Sequence, residues 1–315
     1  MSKTVLVTGG AGFIGSHMCN ALLEKGHRVL CIDNLSLGST KNLHACMKHP
    51  HFQFFEEDLL DTRFLTHFFQ DHAPDTIIHL AANSDIQKGS EDISVDLDKT
   101  FFTTFNLLKH TYSNPPKEWI FASSSAIYGD RKLALCETAG PLEPVSFYGA
   151  AKLACEAYLT AFQEYSKCRL WLIRFPNVVG ERLTHGVIYD FIKKLKRDPS
   201  RLQILGNGKQ TKPYVYVQDI ISGILHAYTH ATDAINTFNI GVESMTSVDT
   251  IAAIVIEEMG LTDVAISYSG SRVGWIGDVE TFQYDLTKIH QLGWRASHSS
   301  DEAVRLSVRR ELSQL

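Results

Sequence analysis

The chain has 315 residues, 44% of them hydrophobic and 21% charged, a composition that excludes disordered and fibrous classes. A formal net charge of −5 leaves no basic footprint for nucleic acid, and the short cluster Lys193, Lys194, Lys196 and Arg197 reads as a solvated helix face. No apolar run reaches membrane-spanning length, and one large domain carrying a smaller one is expected because single cores stop growing near roughly 250 to 300 residues.

The first part of the chain alternates short apolar runs with amphipathic stretches. Strands are predicted at 4–8, 28–32, 52–56 and 76–81, and helices at 14–24 and 65–71. The pattern goes on with a strand at 119–123, a helix at 148–165 and a strand at 169–175. Strands alternating with helices imply right-handed crossovers and a doubly wound α/β fold on a parallel sheet. After Asn177 the periodicity loosens around a Gly206-Asn207-Gly208 turn, an isolated apolar strand at 214–217, and helical stretches at 220–228 and 248–259. This part reads as a smaller, interleaved C-terminal substrate-binding lobe.

The first strand runs into Gly9-Gly10-Ala11-Gly12-Phe13-Ile14-Gly15 and then into a helix. Such a turn lets the backbone approach a pyrophosphate, whose charge sits at the helix N-terminus. The spacing is GxxGxxG, which alone is weak because glycines also serve ordinary turns. Asp33 closes the next strand about 20 residues on, where a carboxylate accepts from adenosine ribose hydroxyls and repels a 2′-phosphate, favouring NAD over NADP. The bland alternative for Asp33 is a turn aspartate. Asp58 and Leu59, after the third strand, are placed to contact adenine.

Tyr148 and Lys152 stand four apart at the start of a predicted helix and so share a face. A phenol with a pKa near 10 is a poor base at neutral pH and needs a nearby cation, which Lys152 and a nicotinamide can supply. An exposed i,i+4 pair is the plain alternative. A serine run, Ser123-Ser124-Ser125, ends a strand at the carboxyl edge where open α/β sheets carry ligands, and a hydroxyl there can hold a reacting sugar oxygen. Together with the glycine turn, these features have the order and approximate separation of one catalytic site.

The six cysteines include no CxxC pair and the fourteen histidines no HExxH, so neither a disulfide framework nor a metal site is expected; His79 reads as a core histidine. Met1 leads almost directly into Val5-Leu6-Val7 without the features of a signal peptide, and a cytoplasmic location is expected.

At these residues the sequence resembles the extended short-chain dehydrogenase/reductase family and, within it, the UDP-glucose (UDP-galactose) 4-epimerases. The matching stretches are TGGAGFIGSH (8–17), Asp33-Asn34, HLAA (79–82), SSSAIYG (123–129), YGAAK (148–152) and RFPNVVG (174–180). The similarity is strongest to shorter, archaeal-type epimerase-like proteins, whose distal segments match HGVIYDFI (185–192) and LGNGKQ (205–210).

The resemblance implies a Rossmann-type NAD-binding domain over 1–176, with 213–240 returning to it, and a nucleotide-sugar-binding lobe from 177–212 and 241–315. It implies NAD contacts at Gly9, Gly12, Phe13, Ile14, Gly15, Asp33, Asn34, Asp58, Leu59, Ala81, Tyr148 and Lys152. Ser124 becomes the triad serine, Tyr148 the base and acid, and Lys152 the residue that binds the nicotinamide ribose and lowers the tyrosine pKa. Substrate contacts are implied at Asn83, Ser124, Ser125, Tyr148, Asn177, Val187, Lys212 and Arg272, in a homodimer packed through helices that include 148–165. Leu153, Ala157 and Ala161 are candidates for that contact, or equally for packing on the sheet.

The sequence also departs from the family. Lys212-Pro213 stands where an Arg-Asp pair is usual, and a lysine does not reproduce a bidentate guanidinium. Thr100 stands where an asparagine is usual. The nucleotide-sugar 4,6-dehydratases carry Asp-Glu directly after the triad hydroxyl, whereas this chain has Ser125-Ala126. The expected activity is a UDP-hexose 4-epimerase. The alternatives are a dehydratase, an epimerase of uronic acid or N-acetyl sugars, a net oxidoreductase, and a catalytically silent NAD-binding regulator.

Overall fold

The computed structural model describes residues 2–131, 134–270 and 279–313, the side chain of Gln87 excepted. Strand β1 (Thr4–Thr8) passes through the glycine turn into α1 (Phe13–Glu24), followed by β2 (Arg28–Asp33), β3 (Phe52–Glu56), α2 (Thr62–Asp71) and β4 (Thr76–His79). Two short helices, α3 (Ile86–Glu91) and α4 (Ser94–Asp96), lead through a π-helical turn at Leu97–Phe102 into α5 (Thr103–Thr111). Then come β5 (Glu118–Ser124), α6 (Phe147–Ser166) and β6 (Arg169–Phe175). The distal part contains β7 (Asn177–Val179), α7 (Val187–Arg197), β8 (Arg201–Ile204), β9 (Thr211–Lys212), β10 (Tyr214–Tyr216) and α8 (Val217–His230). It ends with β11 (Ile235–Asn239), β12 (Thr246–Ser247), α9 (Val248–Glu258), β13 (Ala265–Tyr268), α10 (Thr287–Gln291) and α11 (Ser300–Ser313).

Seven strands form one parallel sheet in the order β11-β6-β5-β4-β1-β2-β3. Strands covered on both faces must be apolar throughout, which is why β1, β4 and β5 read as continuous apolar runs and are buried along nearly their whole length. On one face α1 packs with α8; on the other, α2, α5 and α6 pack together. Strand β4 ends two residues before its expected end. Leu80 N–H still reaches the Thr8 carbonyl at 3.1 Å, but beyond that β1 turns away into the glycine loop and offers no further ladder.

The order reverses between β1 and β4, where the chain leaves first for β2 and β3 and later for β5 and β6. Such a crossing opens a crevice at the carboxyl ends of the strands. The apolar segment near 214 is not isolated: β10 pairs in parallel with β7 and β13 with β8, while β12 pairs antiparallel with β9. Helices α7, α9 and α11 pack on one another beside these pairs. Residues 235–239 hydrogen-bond along β6, so this late segment completes the sheet begun by the amino-terminal half.

A buried ion pair fixes α6 against the sheet. Arg174 on β6 donates to both Glu156 oxygens at 2.9 and 2.6 Å and to the Tyr128 hydroxyl at 2.9 Å; Tyr128 in turn donates to Asn239 on β11 at 2.7 Å. Removing one member of such a pair leaves an enclosed, uncompensated charge. Glu156→Ala is therefore expected to destabilise the chain by about 3–5 kcal/mol, read as a fall in the urea unfolding midpoint; an unchanged midpoint would contradict the clamp.

Candidate active site

The crevice opens into a cavity of about 860 Å³ that runs from the glycine turn across the ends of β1, β4 and β5 to α7 and β9. At one end Gly9 has φ +70°, and a Cβ there would lie 2.7 Å from the Ala81 nitrogen. A Cβ on Gly15 would overlap the Gly9 carbonyl oxygen. Both positions need glycine, and the close turn leaves the first backbone N–H groups of α1 without intrahelical partners, facing the cavity. Gly9, Gly12, Phe13, Ile14, Gly15, Asp33, Asn34, Asp58, Leu59 and Ala81 all line this end.

Asp33 also braces the turn, accepting from Ala11 N at 2.9 Å and Leu35 N at 2.8 Å. Burial raises its pKa, while the backbone donors at Leu35, Ala11 and Gly12 pull it down. Asp33 is thus a turn aspartate that also lines the cavity. Asn34 donates to Asp58 at 2.8 Å, joining the ends of β2 and β3. Glycine turn, enclosed helix N-terminus and a carboxylate at the end of β2 together fit a dinucleotide whose adenosine ribose lies at Asp33.

At the centre of the cavity, α6 is capped by Ser146, whose hydroxyl accepts from Gly149 N at 3.1 Å. Its first two turns bring Tyr148 and Lys152 to the same cavity wall as Ser124 at the end of β5. The Ser124 hydroxyl accepts from Ala126 N at 3.2 Å and lies near enough to the Tyr148 phenol to pull its pKa down. Lys152, 2% exposed, donates to the Ala122 carbonyl at 2.6 Å, with its ammonium 5.8 Å from the Tyr148 ring centre and 4.7 Å from that of Phe121. The pair is therefore not an exposed helix-face contact.

Burial pushes the Tyr148 phenol up to about 12, against the lowering effect of Ser124. Burial also pushes Lys152 down to about 8, opposed by the charges of Cys155, Asp96 and Glu156. Lys152 still carries its charge at neutral pH, but the chain alone leaves the phenol protonated there. His79, held by Thr8 at 2.6 Å and Thr104 at 2.9 Å, is pushed down to about 3 by burial and stays neutral in the core.

On the distal wall lie Asn177 at the start of β7, Val187 at the start of α7, and Lys212 on β9. Ser125 lines the cavity beside Ser124. Arg272 lies outside the described residues. Asn83 borders the cavity, but its side chain is spent internally: the amide nitrogen donates to the Asp85 carbonyl and to Asp96, both at 2.9 Å, and the oxygen accepts from Asp85 N at 3.1 Å. Thr100, in the π-helical turn, accepts from Asn83 N at 3.1 Å, so a hydroxyl secures the loop after β4. The buried carboxylate Asp96, which holds Asn83, and the cavity-lining Gln210 had no assigned role in the sequence; burial of a lone polar residue leaves no periodic trace. Among the described residues no group of three or more His, Cys, Asp or Glu is arranged to hold a metal.

The model of the NAD-dependent epimerase/dehydratase family matches residues 5–241. The chain belongs to this family. Its cofactor is NAD, and its doubly wound sheet is that of Rossmann-type epimerases. Family members of different activity resemble it over almost their whole lengths. The UDP-glucose 4-epimerase of Thermotoga maritima, solved with UDP-glucose, is 32% identical with a TM-score of 0.87, covering 98% of both chains. The UDP-glucuronic acid 4-epimerase of Bacillus cereus, solved with UDP-glucuronic acid and NAD, is 27% identical with a TM-score of 0.89, covering 99% of this chain and all of that one. The human dTDP-D-glucose 4,6-dehydratase is 26% identical over 98% of this chain and 89% of its own.

Because folding depresses the Lys152 pKa from 10.5 to about 8, the unfolded chain binds more protons between those values, and the residue's contribution to stability rises with pH across that window. Lys152→Met removes this dependence. Wild-type stability measured against the variant in urea should therefore improve by up to about 3 kcal/mol on going from below pH 8 to near pH 10.5. A difference that stays flat across the window would show that the ammonium is not enclosed.

Proposed function

We propose that the chain is an isomerase, an NAD-dependent 4-epimerase of the UDP-glucose/UDP-galactose type that works through a transient 4-keto sugar. The observation carrying this reading is the convergence of Ser124, Tyr148 and Lys152 on one cavity wall where the residues after Ser124 are Ser125 and Ala126. Water elimination needs an acid and a base at the sugar, and this wall offers neither directly after the serine. NAD, when bound, supplies the acceptor and donor of the C4 hydride. Tyr148 takes the proton of the C4 hydroxyl and returns it, the Ser124 hydroxyl holds the reacting oxygen, and Lys152 grips the nicotinamide ribose. The positive charge of NAD, when bound, would add to that of Lys152 in favouring the phenolate of Tyr148.

Inversion requires the ketosugar to present its other face while the nucleotide stays anchored. Asn177 and Lys212 are the proposed diphosphate contacts on the distal wall, and a cavity of about 860 Å³ leaves room for rotation. In this reading residues 1–176 with 213–240 bind NAD, and 177–212 with 241–315 bind the nucleotide-sugar. The six described cysteines are free thiols, which suits a reducing cytoplasmic setting. Among the described residues no helix is long and apolar enough to cross a membrane.

The purified protein, incubated separately with UDP-glucose, UDP-galactose, UDP-glucuronic acid, UDP-N-acetylglucosamine and dTDP-glucose, should interconvert the first two without accumulating reduced cofactor, as followed by NMR and absorbance. A 4-keto-6-deoxy product would make it a dehydratase, and turnover of a uronic acid or N-acetyl sugar alone would reassign the substrate. Tyr148→Phe should lower turnover by about 10²–10⁴-fold while NAD stays bound.

A homodimer is proposed through α5 and α6. Phe102, Phe105, Tyr112, Tyr158 and Tyr165 are exposed by 37% to 75% along these helices, with Phe101 against Tyr158 at 5.1 Å and Tyr112 against Tyr165 at 6.3 Å. Ala157 and Ala161 are exposed on the same stretch, whereas Leu153 packs into the core. A monomer seldom leaves so continuous an apolar face in water. The double variant Tyr158→Glu/Tyr165→Glu should sediment as a monomer and the wild type as a dimer; a monomeric wild type would end this part of the reading.

A further inference from the structure

Gln210 lies just before β9, 4% exposed, on the wall of the cavity with Leu205, Lys212 and Val248. Its backbone is pinned, the carbonyl accepting from Val248 N at 3.0 Å. Its carboxamide is confined against the β8–β9 turn, since a Cβ on Gly206 would run into it. The Oε1 atom is buried and has no hydrogen-bond partner among the described residues. An orphaned acceptor in a closed core destabilises the free chain; one that borders a ligand cavity is satisfied when a donor arrives.

We propose that Gln210 recognises a ribose hydroxyl of the nucleotide half of the substrate, so that the site selects against nucleoside diphosphate sugars that lack that hydroxyl. The proposal rests on the nucleotide-sugar reading above and adds which nucleotides the site accepts. Gln210 and Lys212 are two residues apart and line the same cavity. In extended chain, residues at that spacing share a face about 7 Å apart, comparable to the reach from a diphosphate to the hydroxyls of the ribose it esterifies. A diphosphate at Lys212 therefore brings its own ribose to Gln210. A hydroxyl both donates and accepts, so it satisfies the carboxamide in either orientation of its oxygen and nitrogen.

The test is calorimetric titration of the NAD-loaded protein with UDP, 2′-deoxy-UDP and 3′-deoxy-UDP, for wild type, Gln210→Met and Gln210→Glu. Wild type should bind UDP about tenfold more tightly than at least one deoxy analogue, the worth of one hydrogen bond. Gln210→Met should weaken UDP about tenfold and leave that analogue unchanged, and Gln210→Glu, which still accepts from a hydroxyl, should keep the preference. Equal weakening of all three ligands by Gln210→Met would assign the residue to the base or to packing and overturn the proposal. So would no weakening at all, or a wild type indifferent to the deoxy analogues. If wild type binds none of the three while retaining NAD, the UDP-sugar reading itself falls, an outcome distinct from loss of ribose selectivity alone.

Discussion

An ammonium enclosed at the carboxyl end of a parallel strand, 2.6 Å from the Ala122 carbonyl and lying over the Phe121 ring, ties helix α6 to strand β5. Taking a lysine out of water is unfavourable, and this one is almost wholly out of water. The fold holds it there from two sides. One turn before it, Tyr148 follows the Ser146 cap; one turn after it, Glu156 is clamped by Arg174. The rigid helix carries Tyr148 to Ser124, so the geometry of that pair follows from how Lys152 is seated.

The same strand ends organise the rest of the cavity. The sheet reverses direction of growth between β1 and β4, and the glycine turn and the loop after β4 therefore flank a single opening. Backbone N–H groups and Asp33 gather at one end, Lys212 and Asn177 at the other, with the hydroxyls of Ser124 and Tyr148 between them. In the proposed reading a redox cofactor and a charged nucleotide meet in this opening without displacing packed core.

What could be read from the residues was what burial on both faces imposes locally. The strands of the central sheet are apolar runs bounded by turns, so β1, β3, β5 and β6 stood out in the sequence. The π-helical turn at 97–102 did not, because its residues are those of an ordinary helix. Strands β7, β9 and β12 are two or three residues long and exist only through partners distant in the chain, and β10, legible as the apolar run at 214–217, gave no sign of its pairing with β7. Of the site, the glycine turn and the Tyr148, Lys152 pair were visible as motifs. That Lys152 is enclosed, that Asn83 is occupied by Asp96, and that Gln210 has an unsatisfied oxygen are consequences of tertiary packing, which spacing does not encode.

The placement of β11 at the outer edge of the sheet governs the order in which the molecule is assembled. Until residues 235–239 leave the ribosome, β6 presents an open ladder of N–H and C=O groups, and the Tyr128 hydroxyl lacks its Asn239 acceptor. The nascent amino-terminal half is accordingly sticky rather than self-sufficient, and a gene fragment stopping near residue 176 would encode an aggregation-prone product, not a smaller cofactor-binding protein.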